Sequence, residues 1–181
     1  MPEKIKAPLV LTLICAIICG LLAIAYNATY VDNTGVITYA LNKGLTEIFG
    51  EGEYEMLKNE DGTVLTYDGV TSVIVDKNGN TAFEIVSNGY SKGGLRVLVG
   101  VTDEGVKGIS FINIAETPGL GTKVKSEASF VQQFIGVSDE SFDFKPIMGA
   151  TKSSNGMKKA VETAVKTYNE HKAEFKNSAD A

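Results

Sequence analysis

A run of about 25 residues without a charge, Ala7 to Val31, constrains this 181-residue chain more than any other feature. At roughly 1.5 Å of rise per residue, a helix of that length crosses a hydrocarbon core of about 30 Å. Lys4 and Lys6 precede the run, and Asp32 is the first charge after it. Basic residues stay on the cytoplasmic side, so the N-terminus is expected inside and everything after the run outside. The competing reading is a secretory signal, since Ala23-Ile24-Ala25 resembles a cleavage site. The length of the run favours a retained, single-pass anchor in the cell membrane. Cys15 and Cys19, the only two cysteines, both lie within it. Four residues apart, they share one helix face, and they read as packing residues rather than metal ligands. The rest of the chain can therefore build no disulfide framework or thiolate metal site.

The charge balance narrows the partners. A formal net charge of −5 argues against a nucleic-acid partner, which needs a basic footprint. Behind the anchor, Ile37, Ala40, Leu41, Leu45 and Ile48 recur at helical spacing, predicting a helix over residues 35–49 that Gly50 and Gly52 end. Glu51 to Asp61 reads as polar surface. Val70–Val75 and Ala82–Val86 predict two strands joined by Lys77-Asn78-Gly79-Asn80. Leu95–Val101 and Val106–Ile114 predict a second pair with a turn at Thr102–Gly105. Glu127–Phe134 predicts a short helix. Met157, Ala160, Val161, Ala164, Val165 and Tyr168 mark a last helix, with a frayed tail from Lys176. The expected fold is α+β: an anchor over residues 1–31, then one mixed domain over 32–181 with antiparallel strands and flanking helices.

Two segments carry candidate chemistry. In Ile147-Met148-Gly149-Ala150-Thr151-Lys152-Ser153-Ser154, the small residues permit close backbone approach. The hydroxyls of Thr151, Ser153 and Ser154 offer hydrogen bonds, Lys152 adds a positive charge, and the following helix start suits a phosphate. Taken alone, the residues favour an ordinary helix cap by Ser153 or Ser154, with Gly149 in a turn. In Glu116-Thr117-Pro118-Gly119-Leu120-Gly121-Thr122-Lys123, the turn at Pro118-Gly119 and the apolar Leu120 would suit a flat ligand, or simply join a strand to a helix. A third glycine-rich loop, Gly89-Tyr90-Ser91-Lys92-Gly93-Gly94, lacks nucleotide-loop spacing. The only histidine, His171, falls late in the last helix and has no cysteine nearby, so no metal set arises. No acid–base or nucleophile constellation is present, and catalytic residues are expected to be none.

The anchor, the Gly89–Gly94 loop, Glu116-Thr-Pro-Gly-Leu-Gly121 and Gly149-Ala-Thr151 occur in that order. Together they resemble the FMN-binding domain of the G subunit of Rnf-type electron-transport complexes. The C subunit of sodium-translocating NADH:quinone reductase shares that domain. The resemblance implies FMN joined covalently through its phosphate to the Thr151 hydroxyl, by a flavin transferase that uses FAD. It implies a cofactor site of Thr151, Gly149, Ala150, Lys152 and Ser153 with Glu116, Thr117, Leu120 and Gly121 near the flavin. The family's attachment motif carries Asp six residues before the modified Thr and Ser or Thr three before it. Here those positions are Lys145 and Met148, with Asp143 two residues too early.

The function so implied is an electron-transfer subunit of an ion-translocating ferredoxin:NAD oxidoreductase. Its partners would be the other Rnf subunits, the flavin transferase and membrane lipid, and it would hold no complete catalytic site of its own. An isoalloxazine supplies the redox chemistry while the protein positions it, which agrees with the missing acid–base set. The alternatives are a stand-alone flavinylated extracytoplasmic reductase and a flavin-free anchored interaction domain.

Overall fold

The computed structural model describes residues 3–30 and 35–179, with side chains for 8–30 and 35–178. These fall into two units, the first a single helix and the second the domain that follows. The boundary expected at residues 31 and 32 lies outside the described residues. Helix α1 (Glu3–Thr29) is exposed throughout its described side chains. Its Pro8–Thr29 stretch is long and apolar enough to cross a membrane. The Thr12 and Thr29 hydroxyls donate to the carbonyls of Pro8 and Ala25 one turn back, so neither polar group depends on water.

In the second unit, α2 (Tyr39–Phe49) is followed by strands β1 (Tyr54–Met56), β2 (Val70–Asp76), β3 (Thr81–Ser87), β4 (Leu95–Thr102) and β5 (Gly105–Ile114). The strands form one antiparallel meander in chain order. Two four-residue helices come next, α3 (Lys123–Ser126) and α4 (Ala128–Val131). A single 3-10 turn at Gln132–Phe134 and the long α5 (Thr151–Ala179) complete the α+β fold.

Alternation along the strands divides the core. Val73, Val75, Phe83, Ile85, Val97 and Val99 face α5, where Met157, Ala160, Val161, Ala164 and Val165 meet them. Ile74, Ala82 and Leu98 face the other way, onto Leu41 and Leu45 of α2. Because both faces are covered, β2 to β4 are buried along nearly their whole length, polar Ser72, Thr81 and Glu84 included. The Asp76 carboxylate shapes the β2–β3 turn by accepting from the Asn78 and Asn80 N–H groups at 2.8 and 2.9 Å.

Four details differ from the sequence expectations. The α2 helix starts at Tyr39, not residue 35, because Gly35 has φ 77° and extended Thr38 caps the helix by accepting from Leu41 N–H. Residues 54–56, expected as polar surface, pair with β2 because Tyr54 and Met56 pack toward α2. The helix expected over 127–134 is divided between α4 and the 3-10 turn, with α3 before it. Helix α5 continues past Lys176 to Ala179, with Phe175 fully buried and Lys176 Nζ 2.5 Å from the Asp103 carboxylate.

Candidate functional site

The start of α5 meets two loops, and one buried carboxylate ties them together. Glu116, 6% exposed, follows β5. Its Oε2 accepts from Tyr90 N–H at 3.0 Å and from the Ser153 hydroxyl at 2.6 Å, and its Oε1 accepts from Ser91 N–H at 3.0 Å. The Gly89–Gly94 loop, the 115–122 loop and the first turn of α5 are thereby fixed to one another. The fit requires glycine: a Cβ at Gly89 would lie 2.6 Å from Glu116 Oε1, and one at Gly121 would lie 2.7 Å from Glu116 Oε2. The Asn88 side chain accepts from Gly93 N–H, and Ser87 donates to the Gly156 carbonyl, holding the β3–β4 connection against α5.

Burial pushes the Glu116 carboxyl up, but hydrogen bonds from Ser153, Ser91 and Tyr90 outweigh it and hold it below its ordinary value. A lowered folded-state value means the ionised clasp contributes fully above about pH 4.3 and is lost as pH falls through the folded value. The thermal-midpoint difference between wild type and Glu116→Gln should therefore be constant above about pH 5 and shrink in more acid solution. A difference that stays the same down to about pH 3 would show that the Glu116 charge is not what holds the loops.

Beside this clasp, the chain turns sharply into α5. Gly149 has φ 81°, a conformation that disfavours side chains, and Ala150 N–H donates to the Ile147 carbonyl. Thr151 is the first helical residue and is exposed. The hydroxyls of Ser153 and Ser154 are buried and engaged: Ser153 donates to Glu116, and Ser154 accepts from Ile147 N–H at 3.0 Å. Neither serine caps the helix, since α5 has already begun at Thr151. Ser154 N–H closes the first turn on the Ala150 carbonyl. The N–H groups of Thr151, Lys152 and Ser153 make no hydrogen bond among the described residues. Three free donors at the positive end of a 29-residue helix suit a phosphate group.

Around Thr151 the surface is apolar and open. Tyr90, Leu120 and Met148 are 71%, 49% and 92% exposed. Leu120 lies against Gly149, and Lys152 Nζ stands 5.2 Å from the Tyr90 ring centroid. A cleft of about 380 Å³ alongside is lined by Lys123, Lys145, Ile147 and Met148 among others. The donor set fits a flavin mononucleotide: free amides and Lys152 for its phosphate, and exposed Tyr90, Leu120 and Met148 for an aromatic ring system.

All nine residues singled out in the sequence lie on the 115–122 loop and at the turn into α5, which Glu116 joins. Thr151, Lys152, Thr117 and Leu120 face solvent, whereas Glu116, Ala150, Gly121 and Ser153 are buried and Gly149 makes the turn. Sequence reasoning missed Tyr90 and Met148 as exposed neighbours of Thr151. The Gly89–Gly94 loop was visible, but its service to Glu116, 25 positions beyond Ser91, was not. His171 lies twenty residues along α5, about 30 Å from its start. There it packs on Tyr67 with ring centroids 4.4 Å apart.

This constellation matches known proteins. Residues 89–166 match the FMN-binding domain family, a span that contains the Gly89–Gly94 loop, the Glu116 clasp and Thr151. The chain is 25% identical to the G subunit of the ion-translocating oxidoreductase complex of Shewanella oneidensis, over 94% of this chain and 92% of the relative. It is 32% identical to the protein of the same name in Shewanella baltica, over 50% of this chain and 49% of the relative. The figure is also 32% for Aliivibrio fischeri, over 55% and 54%. No solved structure matches the chain. The resemblance drawn from Glu116–Gly121 and Gly149–Thr151 is thus borne out: residues 89–166 match the FMN-binding domain family, and the chain is similar along nearly its whole length to a G subunit of such a complex.

Proposed function

We propose that this protein is a membrane-anchored flavoprotein subunit that carries FMN on Thr151 and passes electrons within an Rnf-type ion-translocating oxidoreductase complex. The observation that carries the reading is the exposed Thr151 hydroxyl, first in α5 and flanked by three unpartnered amides, inside the FMN-binding domain. Bound flavin supplies one- and two-electron redox chemistry. The chain's own residues hold it. Amides 151–153 and Lys152 receive the phosphate, and Tyr90, Leu120 and Met148 flank the ring. Glu116 fixes the loops that present them, and Thr117 and Gly121 complete the backbone beside it. No proton-transfer residue is required for a carrier, and the other complex subunits supply the electron donor and acceptor. A flavin transferase makes the Thr151 phosphoester, which prevents loss of a cofactor that could not be replaced outside the cytoplasm.

Residues 1–31 serve as the anchor and 32–181 as the extracytoplasmic domain, with Lys4 and Lys6 on the cytoplasmic side. The topology has a direct test. Asn78 is exposed in the β2–β3 turn. With Cys15 and Cys19 replaced, Asn78→Cys should react with an impermeant thiol reagent on intact cells. Labelling only after lysis reverses the orientation, and a mature N-terminus near Tyr26 means the helix is removed. In-gel flavin fluorescence of the denatured protein tests the cofactor assignment itself.

A further inference from the structure

One edge of the sheet, at β5, lies apart from the Thr151 site. The last strand in the order, β5, pairs with β4 on one side only. On the other, Val106 is satisfied: its N–H donates to the Val137 carbonyl, and its carbonyl accepts from Gly136 N–H. From Lys107 to Ile114, the backbone makes no hydrogen bond beyond β4 among the described residues. That stretch floors a cleft of about 650 Å³ with α2 on one wall and α3 and α4 on the other.

The charge in the cleft is one-sided. Lys43 of α2, Lys107 of β5 and Lys125 of α3 line it, all exposed and none in an ion pair among the described residues. Glu47 is the sole acidic residue of the lining, and its carboxylate accepts from the Ser110 hydroxyl at 2.8 Å. A chain of net charge −5 thus places three unpaired ammonium groups beside an open ladder of N–H and C=O groups. Such edges are normally covered or shortened, because they invite another strand.

We propose that the β5 edge receives an extended, carboxylate-rich segment of another protein as a sixth strand. Main-chain pairing to Gly108–Ile112 supplies the register, and Lys43, Lys107 and Lys125 select acidic side chains. A lipid headgroup matches the lysines but not the ladder. A second copy of this chain would bring two sets of three lysines together, which opposes edge-to-edge pairing. The inference does not rest on the flavin, since the cleft contains none of the residues assigned to it.

The test uses the full chain in its native membrane, with a photoreactive benzoylphenylalanine at Gln132, an exposed cleft residue, and a control at exposed Val86. The expected crosslink at Gln132, absent at Val86, is to one protein segment with an excess of Asp and Glu. The amides within 108–112 that point away from β4 should exchange at least about tenfold more slowly there than in the isolated chain, as β-pairing requires. Lys43→Glu, Lys107→Glu and Lys125→Glu together should cut the crosslink about tenfold or more, with circular dichroism and bound flavin unchanged. A crosslink to lipid, to a second copy or to a segment without excess carboxylates overturns the proposal. So does the absence of a crosslink, or unprotected amides at 108–112. Thr151→Ala should leave the crosslink in place, which separates this proposal from the flavin reading.

Discussion

Thr151→Ala should abolish in-gel flavin fluorescence completely when the protein is made alongside a flavin transferase. The loss should be total because no neighbouring hydroxyl can substitute. Ser153 is 1% exposed with its hydroxyl on Glu116, and Ser154 is fully buried with its oxygen accepting from Ile147 N–H. Both oxygens would have to leave a buried hydrogen bond to reach a phosphate, at about 1–3 kcal/mol each. Ser154→Ala should keep its fluorescence, and Ser153→Ala should keep it with a lower thermal midpoint. Intact mass of the same samples gives the second readout: wild type heavier by one FMN-phosphoester, Thr151→Ala at the unmodified mass. Fluorescence surviving in Thr151→Ala would move the attachment elsewhere.

The second large effect falls on Glu116. Glu116→Ala strips the acceptor from Tyr90 N–H, Ser91 N–H and the Ser153 hydroxyl at once, in a position 6% exposed. Removing a hydrogen-bonded, largely buried carboxylate costs on the order of 3 kcal/mol. In a domain of this size that lowers the thermal midpoint by roughly 6–12 °C. Glu116→Gln keeps the shape but turns an NH₂ donor toward one of these donors, so it should cost about 2 kcal/mol. Glu116→Gln should also raise the flavin potential by some tens of millivolts, since roughly 59 mV is a tenfold change for one electron. Redox titration at fixed pH and ionic strength measures this. A wild-type midpoint in Glu116→Ala would show that the clasp contributes little. An unchanged potential in Glu116→Gln would remove the flavin from its neighbourhood.

The open edge of β5 and the Glu116 clasp have one property in common: both are made by residues distant in the chain. The lysines of the β5 cleft come from α2, β5 and α3, and no local pattern joins positions 43, 107 and 125. The Glu84 carboxylate gives a third example. It is buried on β3 and paired with Arg96 of β4 and Ser72 of β2, although nothing in Thr81–Ser87 marks it as an internal charge. Cross-strand neighbours stand next to each other only once the register is set.

The sequence by itself determined what depends on short-range periodicity and turn chemistry. The charge-free span predicted α1. Alternating and continuous apolar runs located β2 to β5, and the spacing from Met157 to Tyr168 located α5. The order of Glu116–Gly121 and Gly149–Thr151 was enough to show the resemblance that the family match over residues 89–166 repeats. Tertiary structure alone decided the rest. Three-residue β1 is too short to show a period, and it forms because β2 and α2 receive it. The end of α5 persists because Phe175 is buried and Lys176 reaches Asp103. Among three hydroxyls within four residues, packing turned Ser153 and Ser154 inward and left Thr151 outward. A helix turns about 100° per residue, and only the position of the core fixes which face is free.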